Sequence, residues 1–379
     1  MTESNPDHET GHEEVHDQAQ DNQQEQKPEK GFIPDEAMMP LNPEATLAEA
    51  GRQILLREFI RMRAQEDGVR EDKDIEFVHD MRVATRRQRS AFRLLEAYYK
   101  TKPVRPFIQS LKALAGALGA VRDLDVMMLD LRKAQRIYQD QDTSVFDVIL
   151  SKLDKKRSKT MKKLLALMDS KAHRQFVESY AEFLTQAGVG AKSIDADDIA
   201  PSQVRHILPG LLHEHLATVR AYDGVIHEDI DTTDDATLHA LRIEFKRLRY
   251  ATDFFSDVLG DSGRTFIREI KVIQDHLGRM NDIHVAQLQL ENYLDLVPDD
   301  SDNDDGNDTQ EAEAADTSDS AQEAETAVTS PAKDHPLQSY LRELEIEHAD
   351  LKRRFPDVWR HFNSRGVQEK LSDALLGML

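Results

Sequence analysis

The segments HDMRVATRRQR (His79–Arg89) and HALRIEFKRLR (His239–Arg249) each place basic residues three, seven, eight and ten positions after a histidine. Further along, LGAVRDLDV (Leu118–Val126) is matched by LGRMNDIHV (Leu277–Val285). The histidines are 160 residues apart and the leucines 159 apart. Two matches at nearly one offset make each half of the chain a copy of one unit. Fused copies of a unit tend to pack as the subunits of a dimer do, about a pseudo-two-fold axis.

The unit is helical. From Leu47 onward, apolar residues recur at three-to-four spacing among strong helix formers. The pattern predicts helices from Leu47, over Ile75–Lys100, Val104–Gln139 and Ser144–Lys171, and one closing at Gly188. The second half predicts Val204–Ile230, Thr233–Leu259, Ser262–Val297 and Pro336–Phe355, with a short last helix in SDALLGML. Convincing strand alternation is absent, so the expected class is all-α, with two helical-bundle halves whose basic residues face a shared central cleft.

Composition divides the chain. Residues 1–45 carry twelve acids against two lysines, and 298–334 carry thirteen against one lysine. These segments hold the whole net charge of −22, and the remainder has 46 acids and 46 lysines plus arginines. Such polar stretches bury too little apolar surface to offset ordering. The organisation read from this is a disordered acidic tail over 1–45 and helical halves over 46–200 and 201–379. A disordered acidic insertion, 298–334, interrupts the second half. The apolar runs are too short for a bilayer, the N-terminus has no signal-peptide pattern, and there is no cysteine. A cytoplasmic protein without a membrane partner is expected.

On a helical wheel, His79, Arg82, Arg86, Arg89 and Arg93 fall within an arc of about 80°. Met81, Ala84, Ala91, Phe92 and Leu95 take the opposite, buried side. In the second copy His239, Arg242, Lys246 and Arg249 form the stripe, Leu241, Leu248, Ala251 and Phe255 oppose it, and Asp253 stands where the first copy has Arg93. Like charges at these spacings repel by a few tenths of a kcal/mol per pair, roughly. A solvated basic face explains one such stripe. Two suggest walls around one anionic ligand. Arginine forks suit phosphate oxygens, and the axial spacing suits a ligand with repeated charges, such as polyphosphate, an inositol phosphate or a nucleic-acid backbone. The stripes lack the aromatic and amide groups that read bases.

Arg57 and Arg61, and Lys155, Lys159 and Lys162, are candidates for extending the basic wall; each cluster alone also reads as solvated surface. Gly119 and Gly278 read as places of close helix approach, and Asp123 and Asp282 as carboxylates that orient stripe residues. Each histidine reads equally well as a buried neutral group or a phosphate ligand. No second ligand lies three or four places from either motif histidine, so no metal site and no cofactor are expected.

In these motifs the sequence resembles the CHAD family, named for a histidine-bearing α-helical domain, over roughly Thr46 to Phe362 without the insertion. The resemblance implies two antiparallel four-helix-type bundles related by pseudo-two-fold symmetry, and inorganic polyphosphate bound along a basic surface or pore between them. It puts His79, Arg82, Arg86 and Arg89 on one wall and His239, Arg242, Lys246 and Arg249 on the other. It also implies an association with polyphosphate granules. Lys246 departs from the first copy's arginine but keeps its charge, and Asp253 leaves Arg93 without a counterpart. The resulting expectation is a noncatalytic polyphosphate-binding module. The alternatives are a magnesium-dependent phosphoanhydride-processing enzyme using Asp123 and Asp282, or a helical scaffold for nucleic acid or proteins; the sequence shows no catalytic constellation.

Overall fold

The computed structural model describes residues 37, 39–194, 202–226, 230, 233–293 and 335–378. The readings made for 1–36, 38 and 294–334 lie outside the described residues. Among the described residues the architecture is all-helical, with two isolated β-bridges, Thr46 to Gln203 and Tyr99 to Ala191, and no strand.

The first run of helices is α1 (Leu47–Ala64), a short α2 (Glu66–Glu71), α3 (Ile75–Leu94), α4 (Thr101–Ile137), α5 (Ser144–Met168) and α6 (Lys171–Thr185). The second is α7 (Val204–Arg220), α8 (Asp235–Phe254), α9 (Ser256–Glu291), α10 (Pro336–Phe362) and α11 (Arg365–Leu376). Leaving α2 aside, the lengths run 18, 20, 37, 25 and 15 residues, then 17, 20, 36, 27 and 12. The duplication is therefore visible as an order of helix lengths. Each run has five main helices where a four-helix-type bundle is expected. The fifth belongs to the core: α6 buries Phe176, Tyr180 and Phe183, and α11 buries Val367 and Leu371.

The motif helices start alike. Asp74 caps α3 by accepting from Glu76 N (2.9 Å), and Asp234 caps α8 by accepting from Thr237 N (2.6 Å). Such caps satisfy donors that the first turn leaves open. Met81, Ala84, Ala91, Phe92 and Leu95 are buried on one side, and Leu241, Leu248, Ala251 and Phe255 on the other. α9 breaks at Gly260 (φ 62°, ψ −153°), a conformation that favours glycine, so its regular part begins later than its first residue.

α3 packs on α1 and α4, α8 packs on α7 and α9, and α3 and α8 touch each other. One apolar core spans both runs. A second core lies where the distal turns of α4 and α5 meet those of α9 and α10, around Phe146, Leu153, Ile283 and Leu337. Each run has its own aromatic cluster. Phe107 lies against Tyr180 (ring centroids 4.9 Å apart), and Phe245 meets Phe362 edge-on (4.8 Å).

The expected tail needs correcting at its end. Ala37 and Leu41 are buried, Leu41 N donates to Asp257 (3.3 Å), and Arg57 donates to Ala37 O (3.0 Å) and to Asp257 (2.9 Å). Asp257 lies 216 residues from Leu41 in sequence, so local composition carries no trace of what orders this segment.

An ion network ties α1, α3 and α8 together. Arg87 Nε donates to Glu58 (2.7 Å), another nitrogen of Arg87 pairs with Asp253, and the guanidinium lies 5.0 Å from the Phe254 ring centre. Glu58 is only 2% exposed, so removing Arg87 leaves this buried charge with the exposed Arg61 beside it and poorly compensated. Arg87→Ala is expected to lower stability by about 3 kcal/mol in urea unfolding. Arg264→Ala, which removes a surface pair with Asp261, should change it by less than about 1 kcal/mol.

Candidate anion-binding site

The contact between α3 and α8 brings the two stripes together. Arg82 and Arg86 come from α3, Arg242 and Lys246 from α8. Lys246 is half-buried, and its ammonium is pushed down to about 8, first by burial and then by Arg242, Arg86 and Arg82. Arg242 is also lowered, by burial and by Arg86, against the pull of Asp282. Four cationic groups from opposite halves thus feel one another. Arg86, Arg89, Arg93 and Lys246 make no ion pair with another described residue, and Arg86 Nε is buried without a hydrogen-bond partner among them.

The carboxylates of the two LG motifs sit at matching places. Asp123 lies 3.6 Å from Arg82, and Asp282 lies 3.7 Å from Arg242. Both are exposed, so each holds its arginine loosely from the outside. A Cβ at Gly119 would stand 3.5 Å from Arg82 Nε, whereas one at Gly278 would meet open space. The first is an ordinary contact distance to a flexible side chain, so the close helix approach expected at Gly119 and Gly278 occurs at neither.

The motif histidines differ. Asn281 Oδ1 accepts from His239 Nδ1 (2.6 Å), which fixes that ring. His79 is half-buried and its pKa is lowered, first by burial and then by Arg122 and Arg86. Arg122 and Asn281 are contacts the sequence reading misses. Both immediately precede the aspartate of their LG motif, and that shared position is the signal that could have found them.

Alongside α3, α7 and α8 is a cavity of about 820 Å³. Its basic lining is Arg86, Arg89 and Arg93 from α3, Lys246 and Arg247 from α8, and His215 from α7. His215 and Arg247 are absent from the sequence-based site. Arg249 is not part of this lining; its guanidinium lies 5.6 Å from the Tyr250 ring centre.

The supporting residues are elsewhere. Arg57 anchors the segment before α1, and Arg61 pairs with Glu58 (2.9 Å). Lys155, Lys159 and Lys162 are exposed on α5, and no described ion pair or cavity joins them to the stripes. Among the described residues, no group of three or more histidines and carboxylates is placed to hold a metal ion, and no helix is long and apolar enough to cross a membrane.

The family described as "CHAD domain" matches residues 53–291. The crystal structure of the CHAD domain from the plant Ricinus communis is similar at 20% identity, with a TM-score of 0.59, covering 88% of this chain and 94% of that one. PptA from Streptomyces chartreusis is similar at 15% identity, with a TM-score of 0.56, covering 85% and 100%. At these identities the likeness concerns the fold. No curated protein sequence matches.

The position of Lys246 has a measurable consequence. A lysine whose folded pKa lies below its unfolded value destabilises the folded state below about 8, and that effect fades towards 10.5. Lys246→Met should therefore stabilise the ligand-free protein at pH 7 by about 1 kcal/mol, allowing for solvent screening. The gain should shrink between pH 8 and 10.5, as read by chemical denaturation across that range.

Proposed function

The chain belongs to the CHAD domain family, and from that premise we propose that it binds inorganic polyphosphate, or a similar polyanion, without turning it over. The ligand lies in a basic cleft between two helical halves, 46–200 and 201–379, related by pseudo-two-fold symmetry. His79, Arg82, Arg86, Arg89 and Arg93 form one wall, and His239, Arg242, Lys246 and Arg249 the other. The observation that carries this reading is the contact of α3 with α8, which gathers Arg82, Arg86, Arg242 and Lys246 and leaves Arg86 Nε buried without a partner among the described residues. Cations held together without full neutralisation are relieved when a polyanion enters, and each phosphate contact adds charge-assisted hydrogen bonds. A slim, flexible chain can follow such a cleft where a duplex is too wide. Binding of this kind targets the protein to polyphosphate granules in the cytoplasm.

Asp123 and Asp282 act here as arginine supports, each beside the stripe arginine of its own half. That placement favours binding over a magnesium-dependent phosphoanhydride reaction.

Arg82→Glu combined with Arg242→Glu should abolish retention of long-chain polyphosphate in a pull-down while the far-ultraviolet circular dichroism stays helical. Wild-type affinity should fall steeply with salt, as displaced counterions require. DNA at matched salt should compete poorly, and incubation with magnesium and polyphosphate should release no phosphate. Undiminished retention by the double variant would remove the basis for the assignment.

A further inference from the structure

The 820 Å³ cavity has a counterpart written by the same repeat. Counting 160 residues between copies, Arg247 corresponds to Arg87, and Asp253 to Arg93. Counting from the helix starts Leu47 and Val204, His215 takes the place of Glu58. The residues Glu58, Arg87 and Asp253 line a separate cavity of about 450 Å³ together with Arg57, Asp80 and Asp257. There the acids and arginines neutralise one another through the Glu58–Arg87–Asp253 network. The larger cavity has His215, Arg247 and Arg93 at those three positions, so both of the network's acids have been replaced by basic groups.

The acids that remain do not restore neutrality. Arg247 pairs with Glu244 (2.6 Å), and the lining includes Glu96 and Glu214, against Arg86, Arg89, Arg93, Lys246 and Arg247. Two buried polar groups lack partners among the described residues: Arg86 Nε, and the hydroxyl of Tyr250, a lining residue only 4% exposed. Burial lowers the pKa of His215, a group that an entering anion can recharge. Leu94, Leu211 and Ile243 supply an apolar wall, which a purely solvated basic face would not have.

We propose that this cavity, which shares Arg89, Arg93 and Lys246 with the cleft and adds Arg247 and His215, is a subsite for a compact oligophosphate, either free or carried as an organic ester. The duplicate cavity is closed to anions by its own ion network, so a binding chain is held on one side of the α3–α8 contact. This extends the polyphosphate reading and rests on it only for the shared residues Arg86, Arg89, Arg93 and Lys246.

Calorimetric titration with inorganic tripolyphosphate, and separately with a nucleoside triphosphate, tests the subsite in the full chain. Wild type should bind tripolyphosphate at one site per chain. Arg93→Glu with Arg247→Glu should weaken it by at least about tenfold, and His215→Ala should weaken it less. Arg264→Glu, the same change of charge on α9, should not. Tighter binding of the nucleoside triphosphate assigns the apolar wall to the organic group, and equal binding assigns recognition to the phosphates alone. Full tripolyphosphate binding by a folded Arg93→Glu/Arg247→Glu protein overturns the subsite, even where long-chain retention still depends on Arg82 and Arg242. Loss of long-chain retention and of tripolyphosphate binding in wild type would overturn both readings.

Discussion

The fold depends on holding α3 against α8 although their facing side chains are mostly positive. Two unit charges about 6 Å apart repel by about 3 kcal/mol at an effective dielectric of about 20. Burying one large apolar side chain contributes roughly as much. The buried residues behind each stripe, Met81 and Phe92 in one copy and Leu241 and Leu248 in the other, are thus sufficient in kind to hold the stripes in place. Relief of strain comes from the sides: the exposed Asp123 and Asp282 lie beside the half-buried Arg82 and Arg242, and Arg87 reaches across to Asp253. Lys246 is lowered first by burial and then by Arg242, Arg86 and Arg82, so that relief is incomplete where a buried lysine meets three arginines.

The helices and their buried faces were legible because both follow from periodicity within one segment. The apolar residues assigned to the inner side of each motif are buried without exception. Asp123 and Asp282 were legible as carboxylates orienting stripe residues because the spacing between motifs recurs in both copies, but which residue each one meets, Arg82 and Arg242, was not. Contacts that cross between copies were not accessible. Arg87 finds Asp253 166 residues away, and nothing within either segment announces that pair. The same blindness turned Arg57 into a candidate for the basic wall, although its partners are the backbone before α1 and an aspartate on α9. His215 lies on α7, outside both repeated motifs, and a single histidine on a helix carries no spacing signal that points to a cavity.

Duplication also explains why the two sides of the seam differ. An exact repeat would give two cavities of the same sign, each adding repulsion between the halves. Substituting acids at two of three equivalent positions turns one of them into a cross-link between α1, α3 and α8. One recess is thereby left charged, the one proposed to take a ligand, and the other serves cohesion. Binding sites commonly depart from the arrangement that would maximise stability, and here the departure and its compensation occupy equivalent places in the repeat.

The consequence for the proposed binding is a coupling between charge and occupancy. A cation held below its ordinary pKa gives the free protein a proton deficit near neutral to mildly alkaline pH. An entering anion raises the pKa of Lys246, so complex formation takes up protons wherever the free lysine is partly neutral. The work of recharging it opposes binding as pH rises. The arginines keep their charge throughout that range, so the loss is partial and attaches to one residue. Under the proposed binding, lysine at this place, where the first copy has Arg86, makes the second helix's contribution pH-dependent while the first's stays fixed.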